Sequence, residues 1–136
     1  MSPSADLLCV HPEFVPMVWP AVREKLRAAY LKNDLSHTEA LERDVLSGKG
    51  VLWLASTNSK IEAAAVTVLT RTDRNLVCVI TACGGGSMRR WLHMLSAIEE
   101  WAKSEGAAKV RIFGRKGWVR MLENYRVSSV VLERQL

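Results

Sequence analysis

Paired cysteines and long apolar runs are both missing from this sequence. Its three cysteines, Cys9, Cys78 and Cys83, include no CxxC pair, which argues against a disulfide framework or a zinc site. No apolar run approaches the ~20 residues that span a bilayer, and the first residues show no basic stretch followed by an apolar one, so no secretory signal is predicted. These absences favour a metal-free protein of the cytoplasm that does not enter a membrane.

Internal repeats, low-complexity tracts and linkers are also missing, which excludes solenoid and multidomain arrangements. A chain of 136 residues is long enough to bury one core. Its 49% hydrophobic and 24% charged residues are typical of a globular protein. Residues 1–136 are therefore predicted to form a single domain. Tyrosine and phenylalanine are scarce, with two of each, but there are five tryptophans, which suit core and interface anchors. A homodimer is accordingly among the expected partners.

Negative charge is scarce in the second half of the chain. Residues 1–70 carry seven basic and eight acidic side chains, whereas residues 71–136 carry twelve and six. A basic surplus suits a phosphate-bearing ligand or nucleic acid, and it also suits a solvated basic face. Because such contacts release counterions, we expect only weak, salt-sensitive association with nucleic acid.

Three consecutive glycines, Gly84 to Gly86, follow an apolar strand-like run and precede an amphipathic helix pattern. Glycine lets the backbone approach a ligand closely, and the first N–H groups of a helix lack partners, so this order can hold an anion. The alternative is a tight connection that needs positive φ. Replacing Gly85 by Val is expected to block such a ligand and to leave the fold intact, because the residue is placed in a loop.

Two arginines on the first turn of that helix, Arg89 and Arg90, lie at the unfavourable end of the helix dipole. A bound phosphate would remove this cost, although both residues are equally consistent with surface charges. Ser87 is an N-cap candidate that could also touch a phosphate. The predicted ligand-binding residues are Gly84, Gly85, Gly86, Ser87, Met88, Arg89 and Arg90.

Apolar periodicity and turn signals predict nine elements in the order α-α-β-β-β-α-β-α-β. Three strands joined by short turns form an antiparallel meander, and the strand–helix–strand step must be a crossover, which makes that pair parallel. The predicted fold is a mixed, largely antiparallel α/β sheet with helices on both faces. Helices are predicted near 16–32, 37–47, 88–105 and 118–124, and strands near 51–56, 61–70, 75–82, 108–113 and 127–134.

This element order, with the glycine turn before the long helix, resembles the GCN5-related N-acetyltransferase (GNAT) fold over residues 10–136. The family's loop reads Gln/Arg-x-x-Gly-x-Gly/Ala, and its N–H groups hold the pyrophosphate of acetyl-CoA. In the aligned segment 81–86 both glycine positions match, while Thr81 replaces the Gln or Arg. The resemblance implies a parallel strand pair that splays at Gly84 and a cleft for acetyl-CoA or another acyl-CoA.

Two further segments, 101–106 and 114–118, resemble small GNAT-like proteins of phages and prophages. The shared pattern is Gly-Gly, a Trp-bearing helix and then Gly-Arg-x-Gly-Trp.

The catalytic positions of the GNAT family are mostly not kept. Leu122 stands where the family has its tyrosine acid, Arg115 stands where it has an Asn, and the strand before the glycines has no Glu. Glu62 remains as a general-base candidate, with an exposed edge glutamate as the alternative. Tyr125 falls three residues late, which turns it to another part of a helix. No catalytic residue is therefore assigned beyond these two candidates.

The sequence also gives expectations for the histidines and for one cysteine. His93 is predicted to be at the surface or half-buried, and His11 and His37 exposed. Cys83 abuts the glycine turn and could be a reactive thiol near a helix N-terminus, or a small buried hydrophobe.

A basic cluster with an aromatic residue follows near the C-terminus. Cations with a stacking ring suit nucleic acid; alternatively the ring packs under the sheet and the cations are solvated. The cluster consists of Arg111, Arg115, Lys116, Trp118 and Arg120.

Two functions therefore stay open. The first is a protein that binds an acyl-CoA, with N-acyltransfer as its activity. The second is a non-enzymatic protein of phage origin that uses the fold for protein or nucleic-acid contacts. Fold alone does not decide between them.

Overall fold

A computed structural model describes residues 5–30, 38–86, 88–112 and 118–136. No helix among these residues is long and apolar enough to cross a membrane. A short 3-10 turn, Pro12–Phe14, leads into the first helix. The elements in chain order are β1 Asp6–Cys9, α1 Val15–Tyr30, α2 Thr38–Ser47, β2 Gly50–Thr57, β3 Lys60–Arg71, β4 Leu76–Gly85, α3 Met88–Trp91, α4 His93–Ser104, β5 Lys109–Ile112 and α5 Trp118–Met121.

The five strands form one sheet in sequence order, β1-β2-β3-β4-β5. The first four are antiparallel, because short turns reverse the chain between β2, β3 and β4. Asn58 and Ser59, with φ of 50° and 67°, make the turn between β2 and β3, where positive φ matches the twist of the hairpin. β5 lies parallel to β4, since the chain crosses over through α3 and α4. The predicted mixed sheet is confirmed.

Helices cover both faces of this sheet, as predicted. Side chains alternate along β2, so Trp53 and Ala55 pack towards α4 while Leu52 and Leu54 pack towards α1 and α2. The α4 side of the core is built on Met94, Leu95, Ile98 and Ala102. The opposite side is built on Val22, Leu26, Leu41 and Val45.

β3 is buried on both faces at its centre, from Ala63 to Val68. A strand covered on both sides reads as a continuous apolar run, and Thr67 is the one polar residue within this stretch. Its hydroxyl accepts a hydrogen bond of 3.0 Å from Trp53 Nε1. The bond satisfies a buried donor that would otherwise be costly.

Apart from shifts of a few residues at the ends of elements, three elements differ from those predicted. β1 was not predicted; its four residues pair with β2 between Leu7 and Ala55, and so short an edge strand depends on that neighbour. The strand predicted at 127–134 is wrong, because residues 122–136 contain no strand. The helix predicted at 88–105 is divided at Leu92, where Leu95 N–H donates to Leu92 O at 3.0 Å, a tighter three-residue turn.

Candidate functional site

The glycine turn lies at the end of β4, and two of its glycines belong to the strand. Gly84 pairs with Ala64, and Gly85 pairs with Ala63. A Cβ on Gly85 would lie 2.4 Å from both Ala63 Cβ and Glu62 O. The expectation that Gly85 lies in a loop with positive φ is therefore wrong. The effect of Val at this position stays a prediction, and the close contact with β3 now predicts a loss of stability. Glycine is needed at this position because β4 approaches β3 closely.

Gly86 is anchored by its backbone and open on its Cα face. Its N–H donates to Glu62 O at 3.0 Å, and its carbonyl accepts a bond of 3.3 Å from Trp91 Nε1. Apart from its two chain neighbours, a Cβ on Gly86 would meet no atom of the described residues within 4 Å. A ligand can therefore approach this Cα without displacing neighbouring protein atoms.

Among the described residues, the edge of β4 that faces β5 is paired over only part of its length. Pairing between the two strands runs from Val77↔Lys109 to Ile80↔Ile112, four residues before Gly84, and β4 continues for five residues to Gly85. Beyond Ile80, no described strand pairs with this edge of β4. Because Val66 pairs with Ala82 and Thr67 with Ile80, Thr81 is the extra residue of a β-bulge. It comes directly after the last described pair of β4 with β5.

Arg90 and Glu62 bind each other beside the glycine turn. Arg90 Nε and Nη2 donate to the two carboxylate oxygens, and Nη2 also donates to Thr57 Oγ1 at 3.0 Å. Thr57 Oγ1 in turn donates to Glu62 Oε2. The hydrogen bond from Arg90, followed by that from Thr57, lowers the pKa of Glu62 to about 2. A carboxylate held in this way is a poor proton acceptor at neutral pH.

Of the other residues predicted to bind a ligand, Arg89 is exposed on α3. Ser87 lies outside the described residues, and only the backbone of Met88 is described as the start of α3. Of the two arginines in this segment, Arg89 is the exposed one. The guanidinium of Arg90 binds Glu62.

The residue before β1 ties the N-terminal segment to α3 and α4. Ala5 N–H donates to Arg90 O at 3.1 Å. His93 Nε2 lies 2.9 Å from Ala5 O, a carbonyl that can only accept, so the ring donates. The roles of Ala5 and Thr57 were not predicted from the sequence. Ala5 acts through its backbone and Thr57 stands at the end of a strand, and neither belongs to a recognisable sequence motif.

Tyr125 is held away from the glycine turn. Its hydroxyl donates to Glu99 Oε2 at 2.6 Å, and Glu99 lies six residues into α4, about 9 Å along the helix axis. Burial, followed by this hydrogen bond, raises the pKa of Tyr125. Leu122, which stands at the family's tyrosine position, is 8% exposed within the core. Neither residue brings a proton donor to the end of β4.

Cys83 is a half-buried thiol whose pKa is raised to about 12 by burial, so the thiol stays protonated at neutral pH. All three cysteines are free. In the described part of the chain, no three His, Cys, Asp or Glu side chains are grouped closely enough to hold a metal ion. His37 lies outside the described residues.

The basic cluster is only partly described, since Arg115 and Lys116 fall outside the described residues. Trp118 packs against the core on the α4 side of the sheet, which leaves its ring little freedom to stack on a base. Arg120 is exposed and Arg111 is half-buried.

Solved acetyltransferase structures share this architecture. A predicted acetyltransferase with acetyl-CoA from Clostridium acetobutylicum has a TM-score of 0.67 at 14% identity, covering 96% of this chain and 95% of its own. An aminoglycoside acetyltransferase from an uncultured soil metagenomic sample has a TM-score of 0.69 at 13% identity, covering 98% and 97%. An acetyltransferase of Trypanosoma brucei has a TM-score of 0.68 at 14% identity, covering 98% and 100%.

No protein-family model matches the sequence, and no curated protein matches it. At sequence identities below 20%, these similarities show the fold, and the activity has to be argued from the site itself. The sequential sheet, its parallel β4–β5 pair and the glycine turn that ends β4 together give this chain the GNAT fold.

Proposed function

We propose that this chain binds an acyl-CoA along the free edge of β4 and against the glycine turn. The observation that carries the proposal is that, among the described residues, β4 runs five residues beyond its last pair with β5, to Gly85, and is followed by Gly86, whose Cα face is open. A free strand edge offers N–H and C=O groups to a ligand that contains amides. The two amides of the pantetheine arm fit such an edge, and the diphosphate would follow at the turn.

The charge near the turn supports an anionic ligand. Arg89 is exposed on α3, and the half of the chain from residue 71 carries twelve basic and six acidic side chains. Gly86 lets a phosphate approach the backbone without a side chain in the way. Arg90 has a different role in this proposal: it holds Glu62 and thereby fixes the β2–β3 turn against α3.

A bound acyl-CoA would supply a thioester that an amine can attack. The chain's contribution is to orient the ligand along β4 and to direct backbone N–H groups near the Thr81 bulge towards the carbonyl, where they would stabilise developing negative charge. The site lacks a well-suited group for proton transfer, because Glu62 is hydrogen-bonded to Arg90 and Tyr125 to Glu99. General acid–base catalysis typically contributes about 10²–10⁴-fold, so we expect N-acyltransfer to be slow.

Because neither Glu62 nor Tyr125 is well placed to transfer a proton, a second candidate function is also supported. In it, the chain is a non-enzymatic protein of phage or prophage origin that uses the GNAT fold for protein or nucleic-acid contacts. The buried Leu122 at the tyrosine position supports this reading. In either case we place the protein in the cytoplasm, consistent with three free cysteines, and treat residues 1–136 as one domain.

Titration calorimetry tests the two functions directly. The ligands are acetyl-CoA, desulfo-CoA and a DNA duplex at physiological salt. If the first function holds, both CoA compounds bind and DNA binds only at low salt. Saturable DNA binding at physiological salt without CoA binding would refute the first function and favour the second.

Two variants locate the ligand. Gly86→Val should abolish CoA binding, because its side chain occupies the open face of the turn, where a Cβ meets no described residue other than its chain neighbours. Arg89→Ala should weaken binding about tenfold or more, the usual cost of a lost hydrogen bond to a charged group. Arg74→Ala is the matched control: Arg74 is also an exposed arginine but lies in the turn at the opposite end of β4. Equal losses for Arg89→Ala and Arg74→Ala would place the ligand elsewhere.

A further inference from the structure

A small cleft opens between α1 and α2, on the side of the sheet opposite α4. Its lining consists of Trp19, Arg23 and Arg27 from α1 and Leu41 and Glu42 from α2. None of these residues belongs to the glycine turn or to the free edge of β4. The cleft is therefore separate from the site proposed for acyl-CoA.

The α1 wall of this cleft contains a buried hydrogen-bond donor that lacks an acceptor. Trp19 is only 5% exposed, and its Nε1 has no hydrogen-bond partner among the described residues. A buried donor without an acceptor is costly, and such groups are rare in folded proteins. The indoles of Trp53 and Trp91 are similarly buried, and each donates to a hydroxyl or carbonyl oxygen. The unpaired N–H of Trp19 beside a cleft thus indicates an acceptor that a ligand supplies.

Two guanidinium groups accompany this donor. Arg23 and Arg27 follow Trp19 at intervals of four residues, which places the three side chains on one face of α1. Both arginines are exposed, and like charges one turn apart repel each other. Arg23 Nε lies 3.5 Å from Glu24 Oε1, but an exposed pair of this kind contributes little. Within the described ranges Arg27 forms no ion pair. Two cations and a neutral N–H are together suited to an oxyanion.

The remaining lining residues narrow the class of anion. Glu42 is exposed and forms no ion pair with a described residue, so two basic side chains against one acidic side chain leave the lining one positive charge in excess. A singly charged carboxylate is less costly to remove from water than a doubly charged phosphate, because the desolvation cost rises with charge. Leu41 adds apolar surface beside the indole, which suits a short hydrocarbon chain.

We propose that this cleft binds a small carboxylate, with one oxygen accepting from Trp19 Nε1 and the other held by Arg23 and Arg27. The ligand supplies the acceptor that the buried indole lacks, and its negative charge reduces the repulsion between the two arginines. Its hydrocarbon part packs against Leu41, so the ligand contacts both α1 and α2. This site does not depend on the acyl-CoA site proposed above.

Heteronuclear NMR observes each indole N–H separately and tests the proposal with propionate as the probe. The Trp19 Nε1–H signal, assigned by triple-resonance spectra and confirmed by its loss in Trp19→Phe, should move downfield and saturate, because a hydrogen bond to a carboxylate deshields the proton. The signals of the other tryptophans should scarcely move. Sodium chloride at the same ionic strength is the control. A Trp19 signal that stays in place, or that moves equally with chloride, would overturn the proposal.

Variants of exposed residues test the charged contacts without disturbing the core. Arg23→Gln and Arg27→Gln should each raise the Kd of propionate about tenfold or more, the usual effect of losing a hydrogen bond to a charged group. Arg43→Gln is the matched control, since Arg43 is an exposed arginine of α2 outside the lining, and it should leave the Kd unchanged. Glu42→Gln should lower the Kd, because it removes a negative charge beside the ligand. Equal effects of Arg27→Gln and Arg43→Gln, or tighter binding of inorganic phosphate than of propionate, would contradict a carboxylate site.

Discussion

Gly85→Ala probes the close approach of β4 to β3 with a single added carbon. The new Cβ would lie 2.4 Å from Ala63 Cβ and from Glu62 O. Carbon atoms in good contact lie about 3.5–4.0 Å apart, so the two strands must separate locally by about 1 Å. The same movement pulls Gly86 N–H away from Glu62 O, to which it now donates at 3.0 Å. The variant is therefore expected to be less stable than the wild type.

The expected loss combines two terms. Overpacking in a well-packed region costs about 1–3 kcal/mol, and loss of the Gly86 hydrogen bond costs about 0.5–1.5 kcal/mol. In a domain of this size Tm falls by about 4 °C per kcal/mol, so we expect a Tm about 6–18 °C lower. Thermal unfolding followed by circular dichroism measures this shift.

Gly86→Ala is the matched control, one residue further along the chain. Its Cβ meets no atom within 4 Å in the described part of the chain beyond its two chain neighbours, so its Tm should stay within about 2 °C of the wild type, as for a surface substitution. The reasoning is refuted if Gly85→Ala has the Tm of the wild type, or if Gly86→Ala is destabilised as much as Gly85→Ala.

Three further measurements test the contacts described above. Thr67→Val should lower the free energy of unfolding by about 1–3 kcal/mol in a urea titration, because it leaves Trp53 Nε1 buried without its acceptor, whereas an unchanged value would show that this bond contributes nothing. The hydrogen bonds from Arg90 and then Thr57 lower the pKa of Glu62 to about 2, against ~4.3 in an unfolded chain. Their stabilising effect should therefore be complete above pH ~4.3 and lost as pH falls towards 2, and Glu62→Gln should remove that part of the pH dependence of the urea midpoint. Burial raises the pKa of Cys83 to about 12, so iodoacetamide at neutral pH should label it in urea and scarcely in the folded protein, as read by peptide mass spectrometry.

The elements that the sequence predicted well are those with a strong local pattern. The stripe of Leu95, Ile98 and Ala102 predicted α4, because three- and four-residue spacing places these side chains on one helix face. The apolar run before Gly84 predicted β4. The crossover between β4 and β5 followed from chain connectivity, since a parallel pair cannot be joined by a tight turn.

The strands that were missed or wrongly predicted depend on a partner. β1 forms because Leu7 can pair with Ala55 of β2, and four residues carry too little pattern to show this. Residues 127–134 have the composition of a strand but form no strand with the described residues of the chain. A strand exists only where a neighbouring edge accepts its hydrogen bonds, so composition alone decided neither case.

The sequence by itself determined which residues meet at the end of β4, because glycines 84–86 and Arg89 are neighbours along the chain. The tertiary structure alone decided what those residues can do. It set Gly85 against Ala63, paired Arg90 with Glu62 across 28 positions, and tied Tyr125 to Glu99. Proton affinity and ligand access depend on atoms within a few ångströms of one another, and folding brings those atoms together from distant parts of the chain.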